Sequence, residues 1–213
     1  INNKTKIIYL ANPDNPTGTY FNKSMFDSFM ELVPNRVLVL LDEAYFEYVQ
    51  HLDDFPNSMI YRYDNIITLR TFSKAYGLAG LRIGYGFGHK QLIDSLMKVK
   101  LPFEPSSAAQ LAAFASLEDY NFLSETIKNN ASGMKKLLNF LKNYNTIPPV
   151  TNFITIIFDT NKESHKFTDF MLSNGVIVRN LKGFGIENCV RVSIGTEEDN
   201  NFFCNVLSKL EKE

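Results

Sequence analysis

The 213 residues are 45% hydrophobic and 21% charged, enough apolar material for a buried core in one large domain or two small ones. The formal net charge of −1, with no run of Lys and Arg, argues against nucleic acid or anionic lipid as a partner. No apolar stretch approaches the roughly 20 residues that cross a bilayer, no signal peptide is visible, and Cys189 and Cys204 are too few for a disulfide framework and lack metal-ligand spacing. A reduced, cytoplasmic protein is expected.

Lys6 to Ala11 is a short apolar run that reads as a strand. It stops at Asn12-Pro-Asp-Asn-Pro-Thr-Gly18, where two prolines and a glycine make a fixed loop. Asn15 there is either part of a rigid turn or an amide presented to a ligand from a loop that cannot drift. Asn22 to Val33 is helical, with Asn22 as N-cap and Phe26, Phe29, Met30 and Val33 on one face, and Pro34 ends it. Val37 to Leu41 is continuously apolar, as expected of a central parallel strand covered on both faces. It runs straight into Asp42-Glu-Ala-Tyr45. A carboxylate at the end of a buried strand is costly unless paired, which favours a ligand contact for Asp42 over a surface turn.

A second apolar run, Ile66 to Leu69, leads into Thr71-Phe-Ser-Lys-Ala-Tyr-Gly-Leu-Ala-Gly-Leu-Arg82. Lys74 lies in the loop past that strand, and a deprotonated lysine amine forms imines with carbonyls. Arg82, eight residues on, offers a planar fork suited to phosphate oxygens, and the hydroxyls of Thr71 and Ser73 add neutral donors. A carbonyl and a phosphate on one small molecule suggest pyridoxal 5'-phosphate (PLP). Ile83 to His89 then reads as another strand whose glycines suggest close backbone approach. Strand and helix alternate, and Asn15, Asp42, Tyr45, Thr71 and Lys74 collect at strand ends, where open parallel α/β sheets bind ligands.

Lys90 to Lys100 is predicted as a helix with Leu92, Ile93, Leu96 and Met97 inward, closed by Pro102 and Pro105. Ser106 to Leu117 and Asp119 to Asn143 are helical, the second with Leu123, Ile127, Met134, Leu137, Leu138 and Leu141 as its stripe. The remainder reads as a compact α/β unit. It contains a strand Phe153 to Phe158, a helix Glu163 to Asn174 stopped by Gly175, and a strand Val176 to Val178. A Gly183-Phe-Gly185 loop, a strand Val190 to Ile194 and a final helix capped by Thr196 complete it. A boundary near 119 divides the chain into 1–118 and 119–213.

With these residues in place the chain resembles fold-type I PLP-dependent aminotransferases of class I and II, and within them the histidinol-phosphate aminotransferases. The matching blocks are Asn12 to Thr19, Leu41 to Tyr48, Arg70 to Tyr85 and Arg191 to Thr196, in order and spacing. The resemblance implies an α/β large domain with a mostly parallel sheet, followed by a smaller α/β domain. It implies that Lys74 is the Schiff-base lysine and proton shuttle, and that Asp42 pairs with the pyridine nitrogen, a nearby anion favouring its protonated form. Tyr45 and Asn15 would bond the cofactor's phenolic oxygen, and Thr71, Arg82 and Ser73 would hold its phosphate. Arg191 would bind the substrate α-carboxylate. Arg179 resembles a residue that contacts the substrate phosphate, the other reading being a solvated charge on an edge strand. His51, His89 and His165 match no catalytic position.

The implied reaction is transamination between L-histidinol phosphate and 2-oxoglutarate, by a homodimer. Glu104 stands where relatives place Asn near the substrate. Threonine-phosphate decarboxylase and aromatic aminotransferase activities fit nearly the same residues, and a non-catalytic, aminotransferase-like sensing domain is the alternative from another class. The resemblance also implies an N-terminal part, lacking here, that carries a phosphate loop, a ring-stacking aromatic and residues for the partner subunit's site. On that expectation the 213 residues are a C-terminal piece, inactive alone.

Overall fold

The computed structural model describes residues 1–61 and 63–210. They form two compact units: Ile1–Asp14 with Tyr20–Ser124, and Asn15–Thr19 with the residues from Glu125 onward.

The first unit is built on a four-stranded sheet of β1 (Ile7–Ala11), β2 (Leu38–Asp42), β3 (Ile66–Thr71) and β4 (Gly84–Gly88), in that spatial order. The first two pairings are parallel and the last is antiparallel. Helix α1 (Lys23–Leu32) connects β1 to β2; Asn22 caps it by accepting the Met25 amide at 3.0 Å. Phe26 and Met30 of α1, with Val33, pack on Val37, Val39, Leu41 and Ile66. Each such buried side chain contributes about 1.5–3 kcal/mol. Because strand side chains alternate, Val39 and Leu41 face that core, while Leu40 and Asp42 face the other way. Tyr9 pairs with Leu40, Ala11 with Asp42, and Asp42 with Leu69, so these residues share the less covered face.

A short helix α2 (Phe46–Val49) follows β2 directly, and α3 (Lys90–Val99) and α4 (Ser107–Glu118) follow β4. Ala109 and Ala113 of α4 pack on Phe72 and Ile83, so small residues let this helix lie close against the Lys74 loop. The expected inward stripe of α3 is corrected here. Leu96 and Met97 are 46% and 61% exposed, because no described residue covers them. Helix α5 (Tyr120–Phe140) begins in the first unit and continues in the second.

The second unit carries β5 (Asn145–Ile147), β6 (Phe153–Ile157), β7 (Arg179–Asn180) and β8 (Cys189–Ser193) in the order β5-β6-β8-β7, all antiparallel. Helices α6 (Asn161–Ser173) and α7 (Glu197–Leu210) cover it. Ile154, Ile156, Phe167, Met171, Val190, Val192, Phe203 and Leu207 form its core with Leu137 and Leu141. The strand expected at Val176 to Val178 is not formed; pairing begins at Arg179. The reason is local. Gly175 adopts φ +85° and the Val176 amide donates to Met171 O, so this backbone is spent on closing α6 in a Schellman-type turn. Thr196 caps α7, its Oγ1 accepting the Asp199 amide at 3.2 Å.

Candidate active site

In the first unit the site residues are delivered by strand ends. Asp42 is the last residue of β2. Its Oδ1 accepts the Ala44 amide at 3.0 Å, a turn closed by the side chain, and its Oδ2 accepts the Tyr9 hydroxyl from β1. Tyr45, 4% exposed, occupies the position just before α2. Thr71 ends β3 on the face that carries Asp42, and its Oγ1 accepts the Ser73 amide at 3.1 Å.

Lys74 is exposed, with Nζ 5.4 Å from the centroid of the Tyr45 ring. The loop around it is pinned rather than loose. Phe72 and Ala75 are buried, the Gly77 amide donates to Lys74 O and the Leu78 amide to Phe72 O. Gly77 takes φ +71°, with Phe122 3.3 Å from where a Cβ would sit. Arg82 closes a single 3-10 turn (Ala79–Leu81) at φ 52°, ψ 54°, and Nη1 donates to Ala79 O at 2.9 Å. A non-glycine residue in this region costs on the order of 1 kcal/mol or more. Thr71 pairs with Gly84, so Arg82 lies two residues before the partner of Thr71.

Beneath these strand ends is a buried ion pair that nothing local in the sequence marks. Arg70 Nη2 lies 2.8 Å from Glu43 Oε2, and Nε donates to the same oxygen at 2.8 Å. The guanidinium lies 3.4 Å over the Phe46 ring and 5.5 Å from that of Phe87. Glu43 directly follows Asp42, and Arg70 directly precedes Thr71. The pair therefore ties together the two strand ends that carry site residues. Burial pushes the Glu43 carboxyl up, against the pull of Arg70 and Ser58. Glu47 on α2 is 3% exposed, and burial raises its carboxyl to about 7.

In the second unit the structure brings Asn15, Arg179 and Arg191 together. Arg191 on β8 pairs with Thr155 on one side and Arg179 on the other, so all three side chains share one face. Pro16 O accepts the Thr155 hydroxyl at 2.6 Å, and Gly18 O accepts the Val150 amide at 2.9 Å. These bonds stitch the Asn15 segment onto that face. Arg191 Nη1 donates to Asn15 Oδ1, and the guanidinium sits 4.9 Å from the Phe153 ring centroid. Two guanidiniums on directly opposed residues repel, about 4.5–5.5 Å apart at Cβ, unless an anion lies between them.

The sequence pattern of the aminotransferase class I and II family matches residues 1–207. The chain belongs to that family. It is 42% identical over its whole length to histidinol-phosphate aminotransferase 1 of Nitrosococcus oceani and 41% identical to the Bacillus cereus protein of the same name. Among solved structures it is similar to histidinol-phosphate aminotransferase from Sinorhizobium meliloti in complex with pyridoxal 5'-phosphate. That likeness has a TM-score of 0.88 and 28% identity, over 96% of this chain and 58% of that one. The chain spans 58% of the length of both curated relatives. No helix among the described residues is long and apolar enough to cross a membrane.

The donor set of the first unit fits PLP. It holds a primary amine for a carbonyl, a phenol for a ring oxygen, and two hydroxyls and a guanidinium for a phosphate. The Asp42 carboxylate has four lone-pair directions, of which Ala44 and Tyr9 take two, so it keeps acceptor capacity for a ring N–H. Tyr9 is the residue the sequence reading missed. The available signal was the two-residue alternation along β1, but its partner strand is non-local and the register was not legible.

Proposed function

We propose that this chain supplies the cofactor-holding and substrate-anion residues of a histidinol-phosphate aminotransferase, which transfers the amino group between L-histidinol phosphate and 2-oxoglutarate. The observation that carries the reading is Lys74 beside the Tyr45 ring, on a pinned loop that follows Thr71 at the end of β3, the strand paired with the one that ends in Asp42. The names of the relatives support the substrate, and the paired Arg179 and Arg191 support a doubly anionic one.

When bound, PLP supplies a carbonyl that takes up the amino group and a pyridine ring that accepts the electron pair released at the substrate's Cα. Asp42 holds the proton on the ring nitrogen, an anion stabilising the cationic form. Tyr45 and Asn15 donate to the ring's phenolic oxygen; with Asn15 Oδ1 taken by Arg191, its amide NH2 is the group left to donate. Thr71, Ser73 and Arg82 bind the phosphate. Lys74 Nζ takes the proton from the substrate's Cα, general-base work that is typically worth about 10²–10⁴-fold in rate. Arg191 binds the α-carboxylate or phosphate through its fork, and Arg179 adds the second positive charge. A cytoplasmic homodimer is the assembly this reading carries.

A panel of amino donors tests the substrate, with the complete protein, PLP and 2-oxoglutarate. L-histidinol phosphate is expected to give the highest kcat/KM. Preference for an aromatic amino acid, or release of CO2 from threonine phosphate, would replace the substrate and leave the cofactor residues standing. Asp42→Asn is expected to lose most transamination while retaining some PLP, since an amide cannot hold the ring proton electrostatically. Turnover near that of the unaltered protein would refute the role of Asp42.

A further inference from the structure

The Asp42 carboxylate is held at two points. Oδ1 is fixed by the Ala44 amide, which is local and follows from the turn after β2. That contact is a single tether, made within the residue's own turn. The second contact comes from another strand. Tyr9 lies on β1 two residues before Ala11, the register partner of Asp42, so its ring reaches along the shared face and its hydroxyl donates to Oδ2. Two contacts at the two oxygens define the carboxylate plane and so the directions of the remaining lone pairs.

We propose that Tyr9 is a positioning residue that orients Asp42 toward the cofactor's ring nitrogen. The inference rests on the assignment of Asp42 to that nitrogen. Three observations support it. Tyr9 is 57% exposed, so its ring is not needed to fill a core, and phenylalanine would serve the strand equally well. The hydroxyl is the one feature of the residue that distinguishes it, and its bond goes to Asp42. Burial first, then the Asp42 carboxylate, raises the Tyr9 phenol to about 12, so it remains a donor throughout the working pH range.

The test is a double-mutant cycle in the complete protein, read as PLP dissociation constants for the unaltered protein, Tyr9→Phe, Asp42→Ala and the double variant. Tyr9→Phe is expected to weaken PLP about three- to tenfold, less than the roughly 10- to 100-fold of a direct hydrogen bond to a charged group, because the lost bond acts through Asp42. In the Asp42→Ala background the same change is expected to do nothing, because its partner is gone. PLP labelled with ¹⁵N in the ring gives a second readout: Tyr9→Phe should move its resonance toward the unprotonated position while the melting temperature of the cofactor-free protein stays put. Equal losses from Tyr9→Phe in both backgrounds, or an unmoved ¹⁵N resonance, would overturn the role of Tyr9 alone. If Asp42→Ala itself leaves affinity and the ¹⁵N resonance unchanged, the reading of Asp42 falls and that of Tyr9 with it.

Discussion

Replacing Arg70 by methionine separates the buried pair from everything around it. Glu43 is fully buried and Arg70 is 8% exposed, with two of its three guanidinium nitrogens, Nε and Nη2, 2.8 Å from one carboxylate oxygen. At an effective dielectric of about 20, a unit-charge pair near 4 Å is worth about 4 kcal/mol. Removing one partner of a buried pair costs about 3–5 kcal/mol, because the other charge is stranded. The methionine also keeps volume against Phe46 but forfeits the cation over its face, about 0.5–2 kcal/mol at partly desolvated sites.

The cost must depend on pH. Burial already raises the Glu43 carboxyl, and Arg70 is the largest cause opposing that rise. Without Arg70 the carboxyl rises further. A group raised in the folded state contributes fully below its unfolded pKa and loses that contribution as pH rises through the folded one. The deficit of Arg70→Met is therefore greater at higher pH and shrinks as pH falls and Glu43 takes up a proton. Urea unfolding of the cofactor-free protein at pH 5 and 7.5 measures both limits. A deficit below about 1 kcal/mol at pH 7.5, or one that does not change with pH, would refute the reasoning. Adding Glu43→Gln to Arg70→Met should recover most of the loss, since a neutral pair of similar volume strands no charge.

Glu47→Gln should shift the opposite way, because it removes a buried carboxyl instead of stranding one: its stability relative to the unaltered protein rises between the ordinary glutamate value of 4.5 and about 7. The gain is about 1.4 kcal/mol per pH unit, roughly 3 kcal/mol in all, and matched pH series of urea midpoints would read it. Arg191→Lys keeps the charge but loses the fork that meets Asn15, so KM for both glutamate and 2-oxoglutarate should rise about tenfold or more. Unchanged KM values would return Arg191 to a structural role. Gly77→Ala places a Cβ at φ +71° against Phe122 and should cost about 1–2 kcal/mol of stability, read as a lower urea midpoint.

The parts of the fold that were legible are those in which local chemistry and tertiary pairing agree. Five apolar residues before Asp42 marked a buried strand, and β2 lies between two parallel neighbours. Asn22 and Thr196 were read as caps and accept the amides a cap should accept. Val176 to Val178 misled because β-branched residues favour strands, whereas Gly175 needs the following amide to finish a helix. Asn145–Ile147 was passed over because Asn and Thr before two prolines look like a linker; only β6 beside it makes it a strand. Glu43, Glu47 and Arg70 went unassigned for a similar reason. Charged residues are ordinarily solvated, and the 27-residue separation of Glu43 and Arg70 leaves no local trace. Tyr9 was invisible because its meaning depends on which strand lies beside β1.

Lys74 is the residue on which the proposed chemistry most directly depends. Reduction of the PLP-loaded complete protein with borohydride fixes the cofactor to whichever amine it has joined, and peptide mass mapping then reads the position. The expected result is a pyridoxyl group on the peptide containing Thr71-Phe-Ser-Lys74, lost on Lys74→Ala. A label on another lysine, or none at all in a protein that turns over, would contradict the assignment of the site.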